Sequence, residues 1–225
     1  MKTEKSITYF SVQGKENTKD CAELAAARAK ELGISDVVIA SCSGYTARIF
    51  QEVCRREGLH LVVVTHAVGF EGPGIWEFDL ELAEELKKEG VSIVTGTHAL
   101  SGMERAISRR LGGASRTEAI AEAFRRTVGI GMKVAVECVL IAADQGAIPV
   151  DREVVAVGGT AEGADTVLVI LPSHTASFFD PATSGWTGRC HAAGGHCRTL
   201  CTLRPRSCGP GWHVQRRTIE RSGHR

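Results

Sequence analysis

Val37-Val38-Ile39-Ala40-Ser41-Cys42-Ser43-Gly44-Tyr45-Thr46-Ala47 is the stretch on which the fold turns. An apolar, β-branched run of strand length stops at Ser41, small residues and a glycine follow, and an amphipathic helical pattern starts at about Thr46 and ends before Gly58. That succession is a strand, a tight loop and a helix N-terminus. The first N–H groups of a helix have no internal partner and carry the positive end of its dipole, so small residues there make a natural anion cradle. Ser41, Ser43 and Thr46 add hydroxyl donors, and Gly44 lets a phosphate approach the backbone. An ordinary βα turn that binds nothing is the alternative, and the spacing alone leaves both open.

Working outward, residues 7–10 form a short leading strand and Asn17 caps a helix that Gly33 closes, with Cys21, Leu24, Ala25, Ala29 and Leu32 on its apolar face. The helix after the opening loop buries Ala47, Phe50, Val53 and Cys54 and leads to a strand at 61–65. A third helix at 79–88 has acids early and Lys87 and Lys88 late, as the dipole prefers, and a strand at 91–95 follows Gly90. Apolar strands alternating with helices imply a parallel sheet covered on both faces. Ser115 and Glu118 make a capping box for a helix to about Thr127. Residues 132–143 read as a buried helix, although their β-branched content leaves a strand open. Strands at 151–157 and 166–171 are joined by a connection too short for a parallel crossover, so the last must run antiparallel and the sheet is mixed.

Chemistry gathers at the strand ends. Thr65-His66 and Thr97-His98 each stand at or just past the carboxyl end of a strand, where ligands of open α/β sheets bind, so both histidines are expected to share an edge with the loop at 41–46. Each is a site residue or a loop hydrogen-bonder. Cys42 precedes a helix N-terminus, which lowers a thiol pKa, but it serves equally as a small filler. Lys133 and Glu137, four apart on the apolar helix, form a structural pair or reach a ligand. The sequence holds no catalytic triad, metal cluster or dinucleotide fingerprint, so it shows a site more clearly than a reaction.

Composition bounds the rest. From residue 181 onward there are eight Arg, no Lys and one acid, Glu220, leaving residues 1–180 with 19 basic and 25 acidic side chains. A domain with that balance has no electrostatic footprint for nucleic acid. No apolar run approaches the ~18 residues of a membrane span, and the N-terminus lacks a signal-peptide core, so a cytoplasmic protein is expected. Cysteines 21, 42, 54 and 138 read as reduced thiols. The expected division is an α/β domain at 1–179 and an irregular segment at 180–225, with the composition of a disordered extension or an out-of-frame end. Cys190, His191, His196, Cys197, Cys201 and Cys208 match none of the usual two-plus-two zinc spacings.

The opening stretch, the Val-Val-Val-Thr strand after it and the closing Glu-Val-Val-Ala-Val-Gly-Gly-Thr-Ala-Glu-Gly-Ala-Asp-Thr-Val-Leu-Val-Ile resemble the C-terminal domain of pyruvate kinase. Gly-Lys-Glu-Asn-Thr, Gly-Thr-His-Ala-Leu-Ser-Gly and Gly-Gly-Thr-Ala-Glu-Gly-Ala-Asp-Thr are similar, more closely, to the stand-alone pyruvate kinase alpha/beta domain proteins, over residues 7–179. The resemblance implies a three-layer α/β/α sandwich with a five-stranded mixed sheet, order 3-2-1-4-5, strand 5 antiparallel. It implies a phosphate loop at Ser41, Cys42, Ser43, Gly44, Tyr45 and Thr46, with the hairpin of Gly158, Gly159, Thr160, Gly163 and Asp165 as a second wall. It implies as ligand a sugar phosphate or flavin mononucleotide (FMN). The catalytic barrel of pyruvate kinase has no counterpart in these residues, so kinase activity is not carried over. Three functions follow as expectations: a binding domain for a phosphorylated small molecule, an enzyme using flavin or His66, His98 and Cys42, and a homo-oligomerisation module.

Overall fold

The structure, a computed structural model, describes residues 7–179 and, as backbone, 198–203. Along the chain come β1 (Thr8–Phe10), α1 (Thr18–Leu32), β2 (Asp36–Ala40), α2 (Tyr45–Glu57), β3 (His60–Thr65), α3 (Leu80–Lys88) and β4 (Ser92–Thr95). After these follow α4 (Gly102–Leu111), α5 (Arg116–Thr127), α6 (Ile130–Asp144), β5 (Val154–Gly158), β6 (Thr166–Ile170) and β7 (Arg198–Leu203).

Successive side chains of a strand point to opposite faces, and β2 buries both. Val37 and Ile39 enter the layer built with α1, α2 and α3, whereas Val38 enters the layer built with α5 and α6. The five strands β4-β3-β2-β5-β6 have the expected order 3-2-1-4-5, parallel except for β6, which pairs antiparallel with β5. Two more strands lengthen the sheet beyond β6: β7 runs antiparallel to β6, and β1 lies parallel to β7 at the edge. Those six residues of β7 fall in the segment expected to be irregular. Thr199 and Thr202 are β-branched, and β6 without a second neighbour would leave the backbone groups of its outer edge unpaired. Of the six Cys and His positions weighed for zinc, Cys201 is on β7 and the other five lie outside the described residues.

Residues 132–143 are helical, inside α6, and twelve of the fifteen α6 residues are buried. The capping box at α5 is formed: the Glu118 amide donates to Ser115 Oγ at 3.1 Å, and the Glu118 side chain accepts from the Ser115 amide. Asn17, by contrast, stands at the N-cap of α1 as expected but makes no side-chain cap bond. Its side-chain amide donates to the Val12 carbonyl at 2.9 Å, because a 3-10 turn at Lys15–Asn17 occupies the approach to α1. Helix α4 is an element that sequence patterning does not show, and none of its residues is buried. Among the described residues no helix is long and apolar enough to cross a membrane.

The N-terminus of α6 presses directly on the sheet. A Cβ on Gly158 would lie 2.2 Å from the Gly131 carbonyl oxygen, and one on Gly131 would lie 2.1 Å from Thr166 Oγ1. Backbone cannot yield as a side chain can, so Gly158→Ala is expected to cost about 1–3 kcal/mol or more through overpacking. Thr97→Ala, at an exposed position, is expected to stay within about 0.5 kcal/mol. Urea unfolding of both variants against the parent checks the contrast.

Candidate functional site

The loops after β2, β3 and β5 and the segment after β4 meet one face of α6 at the carboxyl edge of the parallel strands. Between them lies a pocket of about 480 Å³. Ser41, Cys42, Ser43, Tyr45, Thr46, Thr65, His66, His98, Gly159 and Gly163 line it, together with Glu77, Ile130, Lys133, Val134, Glu137 and Ile141. The remaining expected site residues, Gly44, Thr97, Gly158, Thr160 and Asp165, do not.

Ser41 opens the loop. Its hydroxyl oxygen accepts from the Ala47 amide at 3.3 Å and so caps α2 from outside, where Gly44 at the N-cap has no side chain to offer. The amides of Tyr45 and Thr46 bond no described residue, and both residues line the pocket beside Ser43. Gly44 is required for another reason than ligand approach: its φ is +101°, and a Cβ there would fall 2.5 Å from Leu82 Cδ2. The glycine lets the loop turn against α3. Of the two readings of Cys42, a lowered thiol pKa and a small filler, the burial fits the filler. Burial pushes its thiol up to about 11, with the Glu77 carboxylate adding to the effect against an opposing backbone bond at His66. It is a neutral thiol in the pocket wall.

The hairpin after β5 is held by Asp165, which has no solvent exposure. Its carboxylate accepts from the amides of Gly14 and Thr160, each at 3.0 Å, and from Thr166 Oγ1 at 2.8 Å. Asp165 therefore ties the hairpin to the start of the 3-10 turn, and Thr18 Oγ1 adds a second tie by accepting from the Ala164 amide at 3.1 Å. Lys15 follows on that turn, 2.8 Å from Glu162 and 4.2 Å above the Tyr45 ring.

At the other end stand the histidines. His66 Nδ1 lies 2.6 Å from Glu77 Oε2, and His98 Nδ1 lies 3.0 Å from Glu137 Oε2, with ring centroids 5.4 Å apart. Glu137 also accepts from the Leu100 amide at 2.9 Å and pairs with Lys133, and both members of that pair are only 4 % exposed. Burial alone would raise the Glu137 carboxyl, but the hydrogen bond from His98 and the charge and hydrogen bond of Lys133 outweigh it and hold the group at about 2. Thr65 spends its hydroxyl on the loop: it donates to the His66 carbonyl and accepts from Trp76 Nε1, both at 3.0 Å. Each carboxylate lining the pocket thus has its own base, Glu162 with Lys15, Glu77 with His66 and Glu137 with Lys133. Glu77 lies in the β3–α3 loop, whose irregular sequence carries no periodic signal. Lys133 and Glu137 did carry one, an ion-pair spacing inside an otherwise apolar run.

This is an α/β/α domain with a pocket at the topological switch point of its sheet. Residues 19–170 match the family described as pyruvate kinase, alpha/beta domain, and the chain belongs to that family.

Removing one member of a buried ion pair strands the other charge, so Glu137→Gln is expected to destabilise by about 3–5 kcal/mol. The double change with Lys133→Met is expected to recover most of that loss. A glutamate whose pKa is depressed in the fold contributes stability that is complete above its unfolded pKa, 4.5, and is lost as pH falls toward about 2. The penalty of Glu137→Gln is therefore expected to shrink between those values, as urea unfolding at a series of pH values would show.

Proposed function

We propose that the domain binds a phosphorylated small molecule, a sugar phosphate or FMN, with its phosphate at the loop of residues 41–46. The observation that carries this reading is the start of α2. The amides of Tyr45 and Thr46, unpaired among the described residues, belong with Ser43 to the wall of a pocket in which every lining carboxylate is already matched by a base. Ile130, Val134 and Ile141 on α6 offer an apolar wall to the rest of the ligand. The volume lies within the ~300–1,000 Å³ usual for such sites. A regulatory or sensing role fits a pocket of this kind, and the free thiols of Cys42, Cys54 and Cys138 suit a reducing, cytoplasmic setting.

Self-association has its own supporting feature. Met103, Ile107 and Leu111 are 78 %, 49 % and 78 % exposed and lie four residues apart along α4, a continuous apolar stripe. We infer that this face joins copies of the chain. Leu111→Glu is expected to shift the mass measured by light scattering to that of the monomer, and a parent already monomeric at high concentration would sink the idea.

For the pocket, FMN against riboflavin, and ribose 5-phosphate against ribose, are titrated by fluorescence and calorimetry. The phosphorylated member of a pair is expected to bind far more tightly. Ser43→Ala is expected to remove a hydrogen bond to a charged group, about 1.5–3 kcal/mol or roughly 10- to 100-fold in Kd, for that member alone. Equal binding within both pairs would show that the loop is not a phosphate site.

A further inference from the structure

His98 Nε2 is buried and has no hydrogen-bond partner among the described residues. A sealed, unpaired nitrogen carries a desolvation cost with nothing in the fold to offset it, which points to a group that arrives from outside. Its electronic state follows from its neighbours. Glu137 is ionised and takes bonds from Lys133, from the Leu100 amide and from His98 Nδ1, so in the neutral ring the proton sits on Nδ1 and Nε2 is a bare acceptor. His66 is held in the same way by Glu77 through Nδ1. Two imidazoles, each oriented by a carboxylate behind it, thus stand with centroids 5.4 Å apart. Phe70 lies 4.0 Å from the His66 ring and 5.1 Å from the His98 ring and packs beside both. It is itself 41 % exposed, on the β3–α3 loop.

We propose that His66 and His98 are an acid–base pair that interconverts aldose and ketose phosphates bound in this pocket. The proposal rests on the phosphate reading above and selects the sugar phosphate from its two ligand classes, because an adjacent carbonyl and hydroxyl are what two such imidazoles can serve. Phe70 is the cover that turns aside to admit them. Neutral His98 takes the proton of carbon 2 through Nε2. The C–H electron pair becomes the double bond between carbons 1 and 2, and the carbonyl oxygen takes a proton from Nε2 of protonated His66. The enediol then returns a proton to His66 from the hydroxyl on carbon 2 while His98 delivers its proton to carbon 1. One C–H and one O–H bond break, one of each forms, and no oxidant, metal or second substrate enters.

The test uses the full chain in deuterium oxide with ribose 5-phosphate, glucose 6-phosphate and free ribose, followed by proton NMR, with native mass spectrometry reporting which probe is retained. Loss of the carbon-2 proton signal and growth of ketose phosphate are expected with the parent. His98→Gln and His66→Gln are each expected to slow this at least ~100-fold while still retaining the probe, the scale of general acid–base catalysis. Retention of a phosphate without exchange overturns the proton-transfer proposal and leaves phosphate binding standing. Equal retention and exchange of free ribose overturns phosphate recognition and leaves the acid–base pair standing. If no probe is retained or exchanged, both fall. Nitrogen-15 spectra of the parent's imidazoles give an independent reading: a neutral His98 carrying its proton on Nε2 would overturn the assignment of the base.

Discussion

β2 has no face in water, and the rest of the molecule follows from that constraint. Val37, Val38 and Ile39 are each fully buried, two of them toward one helical layer and one toward the other. A central strand buried on both sides needs parallel neighbours reached through helices, and such crossovers are right-handed. The chain therefore leaves the sheet at the same edge after β2, β3, β4 and β5. β3 and β4 lie on one side of β2 and β5 on the other, so the order reverses between β2 and β5. Helix α2 departs there into one layer while α6 closes the other. The pocket is the space this reversal leaves at the strand ends.

Helix α6 meets two demands that conflict. Nearly all of its residues are buried, so an apolar surface would satisfy packing, yet it carries Lys133 and Glu137 at the core. A buried ion pair roughly breaks even with a hydrophobic replacement of the same volume, and so its contribution to stability does not account for its presence. What it does at this place is local: Glu137 fixes the Leu100 amide and the His98 ring, and Lys133 keeps that carboxylate ionised in spite of burial. The two ends of the pocket differ accordingly. One offers helix amides and hydroxyls, the other imidazoles whose orientation is set by carboxylates.

The fold was legible because burial and chain reversal leave marks in sequence. β-Branched runs, the capping box at Ser115 and a connection too short for a crossover each have a local physical cause. The site was legible in part. Thr65-His66 and Thr97-His98 look equivalent as written, but the sheet pairs Thr65 with Thr95, and the two hydroxyls are 2.9 Å apart. Gly96 and Thr97 are thus extra residues beyond the strand, which leaves Thr97 exposed while His98 still reaches His66. Glu77 is brought to His66 by an irregular loop, and Asp165 meets Gly14 from 151 residues away. Neither contact has a period to read. α4 escaped for the opposite reason: a helix that buries no residue leaves no packing pattern behind.

Gly44 and Cys42 show how one loop changes meaning once its surroundings are known. A glycine in a loop of small residues suggests close approach by a phosphate, but at 44 the missing side chain is needed by Leu82 and by a backbone with φ of +101°. The phosphate contact proposed for the loop then rests on the amides of Tyr45 and Thr46 and the hydroxyl of Ser43, beside the glycine from which the helix starts. Cys42 matters in the same balance. As a thiolate it would place a negative charge in the wall beside those amides and oppose an anion. Burial and Glu77 keep it protonated, so the positive end of α2 is not cancelled from within. The packing that makes this cysteine a poor nucleophile is what leaves the loop's field available to a phosphate.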